Sequence, residues 1–144
     1  MDSDVPSRVL DLNAVIAEVV GLLRLVAGAR PILQTQLDPK LGRIKAVPAP
    51  MDWLFVNLVT NAYNANPAGS EFIIATSNVD LDPAGARELN VPPGAYVRVD
   101  LIVAGGRVDA AEKAREIVQH AGGGISVPGT GENGNTISVF WPRV

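Results

Sequence analysis

Three asparagines, Asn57, Asn61 and Asn64, recur at helical spacing inside a largely apolar segment. Residues spaced in this way share one face of an α-helix, so three side-chain amides would lie on a common face. Asparagine is a mediocre helix former because its side chain competes for backbone hydrogen bonds. The row is therefore either a solvated face interrupted by capping residues or a cluster of polar ligands facing a bound group.

The helix that must position these amides is predicted over residues 52–66. Leu54, Leu58, Ala62 and Ala65 recur at the spacing that lines a single helix face. Prolines precede the segment, where they are tolerated, and the sequence Asn-Pro-Ala-Gly ends it. The pattern predicts a helix with an apolar face beside the asparagine row.

Composition narrows the chemistry that the chain can perform. The net charge is −3 without a basic run, which argues against a nucleic-acid partner. The chain has no cysteine and one histidine, so thiolate catalysis is excluded and a histidine-rich metal site is not expected. We identify no catalytic residues and expect no membrane span. The acidic start is unlike a secretory signal, so the expected location is cytoplasmic.

The remaining elements follow from hydrophobic patterns and turn signals. Strands are predicted at residues 8–12, 32–37, 43–47, 71–80, 95–103, 125–127 and 136–141. A first helix should begin with Asn13 as its cap. Its apolar stripe comprises Val15, Ile16, Val19, Val20, Leu22, Leu23 and Val26. A last helix is predicted over residues 109–120, and residues 82–94 should form an exposed hairpin loop.

This order of elements predicts one α+β domain covering residues 1–144. The expected architecture is a two-layer α/β sandwich. A mixed, mostly antiparallel sheet would carry about three helices on one face. The aromatic residues Trp53, Phe55, Phe140 and Trp141 are expected in the core rather than at a site.

The element order and several phrases resemble the C-terminal ATP-binding domain of sensor histidine kinases, in the superfamily of gyrase-type, Hsp90-type and MutL-type ATPases. Residues 57–62 look like the family's N-box, and Asp52 occupies the usual acidic position upstream. Residues 117–123 are similar to its last helix and glycine stop, and residues 136–142 to its closing strand. The resemblance implies that Asn61 would coordinate Mg²⁺ between nucleotide phosphates, flanked by Asn57 and Asn64; an amide oxygen suits this ion.

The second half of the family's ATP site departs from the pattern. Active members carry an Asp-x-Gly-x-Gly segment whose aspartate reads adenine, and matching the strands places Val103 at that aspartate position. Gly105 survives from the glycine pair. Active members continue with a lid of some tens of residues, but only Arg107 and Val108 separate the glycines from Asp109. The resemblance therefore implies a missing ATP lid and a vestigial nucleotide site.

The expected start of the last helix carries acidic residues. Asp109 and Glu112 have the spacing of a capping box, so their carboxylates could satisfy the free amides that would otherwise attract phosphate. His120 is expected in the last helical turn, where it favours the helix dipole, and it is not a phosphoacceptor candidate. The glycine-rich residues 129–134 lie between two strands and are expected to form a hairpin turn.

Two functions stay open at the level of sequence. The first is a degenerate, pseudokinase-like domain of two-component signal transduction, without a cofactor. It would act through contacts with a receiver domain, the helical hairpin of a kinase or a second copy in a homodimer. The second is a residual ATP- and Mg²⁺-binding fragment of a histidine kinase catalytic domain. A domain trimmed from a larger kinase, with its lid removed, is a further alternative.

Overall fold

The computed structural model describes residues 8–27, 32–46, 48–65, 71–104, 112–126 and 136–144. The strands in this part are β1 (Arg8–Leu10), β2 (Ile32–Gln36), β3 (Ile44–Ala46), β4 (Glu71–Leu81), β5 (Gly94–Ala104), β6 (Gly124–Ser126) and β7 (Thr136–Pro142). The helices are α1 (Leu12–Ala27), α2 (Pro48–Ala65), α3 (Pro83–Leu89) and α4 (Glu112–His120). All seven predicted strands are confirmed within a few residues.

The strands form two sheets rather than the single sheet expected from the sequence. A five-stranded sheet has the order β2-β4-β5-β7-β6, in which β2 runs parallel to β4 and the other neighbours are antiparallel. The strands β1 and β3 pair with each other in a separate antiparallel ribbon. Both are only three residues long, so their pairing was not visible in the hydrophobic pattern.

One face of the large sheet forms the core. Its alternating residues are buried on three adjacent strands, and the backbone register aligns them in rows. They are Phe72 and Ile74 of β4, Val97, Val99 and Leu101 of β5, and Ile137, Val139 and Trp141 of β7. The long helices α1, α2 and α4 contribute to the same hydrophobic cluster. This arrangement confirms the predicted two-layer α/β sandwich.

The helix α2 closes tightly on this face. It buries Met51, Leu54, Phe55, Leu58 and Val59. The gap between α2 and β4, β5 and β7 is about 10 Å³. That volume barely admits one water molecule, and its lining is apolar, so the described part of α2 packs closely on the sheet. In the described part of the chain, no helix is both long and apolar enough to span a bilayer.

The start of α1 differs from its prediction. The residue that caps the helix is Asp11, whose Oδ1 accepts the backbone N–H of Asn13 at 3.0 Å. Ile16, Val19 and Val20 are buried as predicted, but Leu22 is 55% exposed. Leu22 lies too far around the helix from the buried residues to share their face.

Asn13 instead belongs to a ring of hydrogen bonds that joins three distant segments. Its Nδ2 donates to the carbonyl of Asp38 at 2.7 Å. The Thr76 hydroxyl donates to Asn13 Oδ1 at 2.9 Å and accepts the Asp38 N–H at 2.9 Å. Thr76 is the one polar side chain among the buried residues of the described chain. The ring ties the start of α1 and the turn after β2 to the middle of β4.

A second tie holds the remainder of that turn. Asn78 Oδ1 accepts the Gly42 N–H at 2.8 Å, and Asn78 Nδ2 donates to the Lys40 carbonyl at 2.9 Å. The strand β2 pairs only with residues up to Ala75 of β4. The side chains of Thr76 and Asn78 therefore replace a backbone ladder along the next part of β4.

The segment 82–94 is not the predicted hairpin loop, because it contains the helix α3. Asp82 Oδ1 accepts the Gly85 N–H at 2.7 Å, and Pro83 occupies the first turn. Asn90 ends the helix in the left-handed region at φ 60° and ψ 43°. A side chain at Gly124 would meet Leu89. Since Gly124 pairs with Phe140, α3 ends on the sheet face opposite Trp141.

Replacing Thr76 with valine tests the hydrogen-bonded ring without changing the volume of the side chain. We expect Thr76→Val to lower the free energy of unfolding by about 1–3 kcal/mol, because it leaves the Asp38 N–H and Asn13 Oδ1 without their partner. The measurement is urea denaturation. The control is Thr35→Val, which changes an exposed residue and should stay within about 0.5 kcal/mol. Equal effects of the two changes would contradict a structural role for the ring.

Tyr96 provides a test at alkaline pH. Its hydroxyl donates to the Pro92 carbonyl at 2.6 Å, and burial raises the pKa of this phenol. The unfolded tyrosine ionises near pH 10, while the folded one keeps its proton to higher pH. The contribution of Tyr96 to the free energy of unfolding is therefore fully present below pH ~10, and it is lost as pH rises through the folded-state pKa. In Tyr96→Phe, the free energy of unfolding measured by urea denaturation should fall less with rising pH than in the unmodified protein. Identical pH profiles of the two proteins would refute this.

Candidate functional site

The asparagine row begins on the third turn of the described helix α2. Asn57 is partly exposed, and its Nδ2 donates to the Trp53 carbonyl at 2.9 Å. One N–H of the amide is thus bound to the helix that carries it. The carbonyl oxygen, Oδ1, has no hydrogen bond to the described residues of that helix and could contact a ligand.

The backbone places the other two asparagines on the same helix. Because α2 continues to Ala65, Asn61 and Asn64 follow Asn57 at the predicted spacing. Their side chains lie outside the described part of the chain. Asp52 lies on the same helix and is exposed. The structure therefore confirms the helix and the position of Asn57, and the ligand role of the row stays a prediction.

The other candidate site residues follow β5. This strand ends at Ala104, and α4 is described from Glu112 onward. Gly105 and Asp109 fall among residues 105–111, outside the described part, as does the predicted turn at residues 129–134. The helix α4 packs against α2 and buries Val118. The segment between Ala104 and Glu112 therefore connects the sheet to a helix that packs against α2.

Val103 is placed by the backbone register of β5. It pairs with Phe72 of β4, one residue before the strand ends. A valine side chain has no hydrogen-bond acceptor, so it cannot satisfy a buried amino group. Leaving such a group unpaired costs roughly 1–3 kcal/mol. The described residues also contain no cluster of three histidine, aspartate or glutamate side chains that could hold a metal ion.

Comparisons with solved structures cover almost the whole chain. A mycobacterial sensor histidine kinase, MprB, matches with a TM-score of 0.69 and 12% identity over 95% of this chain and 97% of that one. The nucleotide-free catalytic domain of the histidine kinase ThkA matches with a TM-score of 0.71 and 19% identity, over 95% of each chain. ThkA in complex with the response regulator TrrA matches with a TM-score of 0.73 and 19% identity, over 96% of this chain and 42% of that one. Protein-family models and curated protein sequences gave no match.

The chain has the fold of a histidine kinase catalytic domain. The predicted resemblance is confirmed at this level, although the identities of 12% and 19% are low. Within this fold α2 is the helix that resembles the N-box, and β5 leads into the segment that resembles the glycine motif. The described residues place α2 against α4 and end β5 one residue before Gly105.

Sequence reasoning placed Trp53 in the core, and this was wrong. Trp53 is 41% exposed, one helical turn before Asn57, whereas Phe55 and Trp141 are buried with ring centroids 6.0 Å apart. The spacing of residues along α2 could have shown that Trp53 lies off the buried face of the helix. Leu54 and Leu58 define the buried face of α2, and Trp53 precedes that face by one residue, or about 100°.

Comparing two asparagine substitutions separates the candidate site from the framework. Asn57→Ala should leave stability unchanged or raise it by up to about 0.5 kcal/mol, because the lost bond is exposed and alanine favours the helix. Asn78→Ala should cost about 1–3 kcal/mol, because Asn78 holds the turn at Gly42 and Lys40. Urea unfolding of both variants provides the test. A loss above 1 kcal/mol for Asn57→Ala would show that this residue is structural.

Proposed function

We propose that the chain is a degenerate histidine-kinase-like ATPase domain of two-component signalling. In this proposal it does not bind ATP productively and acts in the cytoplasm through protein contacts. The observation that carries the proposal is the combination of this fold with valine at position 103, at the end of β5. Adenine recognition in the resembling family uses a carboxylate at that position.

The length of the β5–α4 connection supports the same proposal. Only residues 105–111 join Ala104 to Glu112. A lid of some tens of residues cannot be formed from so few. The adenine side of the site also fits a nucleotide poorly, since Val103 offers no hydrogen-bond acceptor. We therefore assign the row Asn57, Asn61, Asn64 and the glycine at Gly105 to a vestigial site without an adenine contact.

A protein partner is the second part of the proposal. ThkA, which shares the fold, is described in complex with a response regulator. A receiver domain or the helical hairpin of a kinase is therefore the partner class that we propose, and a homodimer is a further candidate. In such an arrangement the rigid sandwich of α1, α2, α4 and the sheet serves as a docking platform.

One observation favours the alternative of a residual ATP- and Mg²⁺-binding catalytic fragment. The helix α2 retains the asparagine spacing through Asn61 and Asn64. Amide oxygens could then bind Mg²⁺, with Asn61 as the central ligand. This alternative requires an adenine contact other than Val103 and a lid from elsewhere.

Unfolding in the presence of nucleotide separates the two functions. A site with micromolar affinity would stabilise the fold by about 4 kcal/mol at 1 mM ATP with Mg²⁺. We expect no change in the free energy of unfolding or in Tm. We also expect Asn61→Ala and Asn61→Asp to respond to nucleotide as the unmodified protein does. A nucleotide-dependent rise in Tm that is lost in Asn61→Ala would overturn the proposal in favour of the catalytic fragment.

A further inference from the structure

A basic surface lies on the β1–β3 ribbon, away from the asparagine row. Ile44 and Ala46 of β3 are buried in the core, so Lys45 between them faces away from it. Val9 of β1 lies directly opposite Lys45 in the register and is 57% exposed. An exposed valine and an exposed lysine thus form a cross-strand pair on the outer face of the ribbon.

Two further cations extend this surface. Arg43 immediately precedes β3 and is exposed, and its carbonyl accepts the Val144 N–H at 2.9 Å, which fixes its backbone. Lys40 is exposed in the turn that Asn78 holds. We call the set Val9, Lys40, Arg43 and Lys45 the basic corner. The backbone carbonyls of Lys40 and Arg43 are held by Asn78 and Val144, respectively.

The cations of the basic corner form no ion pair within the described part of the chain, although Asp38 Oδ1 accepts the backbone N–H of Lys40 at 2.9 Å. The ion pairs among the described residues join Arg98 to Asp100 at 3.1 Å and Arg143 to Asp80 at 3.2 Å. Neither pair involves Lys40, Arg43 or Lys45. The whole chain carries a net charge of −3, so this cluster of cations opposes the overall sign. Such an asymmetry steers an oppositely charged partner to one part of a surface.

The geometry points to the basic corner as a docking surface for an acidic face of a partner protein. Cations around an exposed aliphatic residue complement carboxylates around an apolar residue. A nucleic acid would use the cations but not Val9, and a few cations on an acidic protein are a weak phosphate-binding set. The inference rests on the proposed role in protein contacts and adds the surface and the charge of the partner.

Peptide titration followed by NMR tests the inference on the full chain. The probes are a peptide that repeats Glu-Glu-Leu, its Glu-Glu-Ser counterpart, duplex DNA, and vesicles of phosphatidylserine and phosphatidylcholine. We expect the Glu-Glu-Leu peptide to shift the amide resonances of Val9, Arg43 and Lys45, with an affinity that falls as salt is added. Shift mapping on the unmodified protein needs no variant to fold.

Variants then separate the charge and apolar contributions. Lys45→Glu should weaken Glu-Glu-Leu binding about tenfold, since an attractive surface pair becomes repulsive. The matched control Arg87→Glu, an equal charge change on α3, should leave it unchanged. Val9→Ser should weaken binding of the Glu-Glu-Leu peptide about threefold and leave binding of the Glu-Glu-Ser peptide unchanged.

Several results would overturn the inference. They are peptide shifts elsewhere on the protein, an equal effect of Arg87→Glu, or tighter binding of DNA or vesicles than of the peptide. Nucleotide is absent from these titrations. ATP binding in the unfolding experiment would therefore refute the proposed function without altering this result, and the two failures can be told apart.

Discussion

The buried hydroxyl of Thr76 is the interaction on which the described architecture depends. It bonds to Asn13 at the start of α1 and to Asp38 after β2, and Asn13 closes the ring through the Asp38 carbonyl. A buried hydroxyl is costly unless each of its partners is in place, so the ring fixes three segments together. Because α1 packs against α2, the ring also anchors a helix that neighbours the one carrying the asparagine row.

The same framework is consistent with the proposed function, in which the fold persists without nucleotide chemistry. The contacts that stabilise α2 come from its apolar face on the sheet, where the remaining gap is only about 10 Å³. Asn57 contributes little to that packing, since its hydrogen bond is exposed and local. A fold of this kind can carry functions other than nucleotide chemistry.

The long amphipathic segments were predictable, because burial of one face imposes a period on α1, α2, β4, β5 and β7. Three features were not. Asn13 was predicted to cap α1 because asparagine favours that position. Its hydrogen bond with Thr76 joins residues far apart in the sequence, so patterns of neighbouring residues cannot predict it. The helix α3 is short and rich in glycine and proline, although Asp82-Pro83 and Asn90 carried cap signals. Trp53 was assigned by residue type rather than by its angle on the helix. For the site, only the helical spacing of the row was predictable.

The central claim is that half of an ATP site persists on α2 without the half that would hold adenine and the phosphates. The most direct measurement is an amide NMR spectrum of the chain with a non-hydrolysable ATP analogue and Mg²⁺. We expect the resonances of α2 and of residues 105–112 to remain where they are without ligand. Saturable shifts in both segments, lost on removal of Mg²⁺, would contradict the claim and establish a nucleotide site.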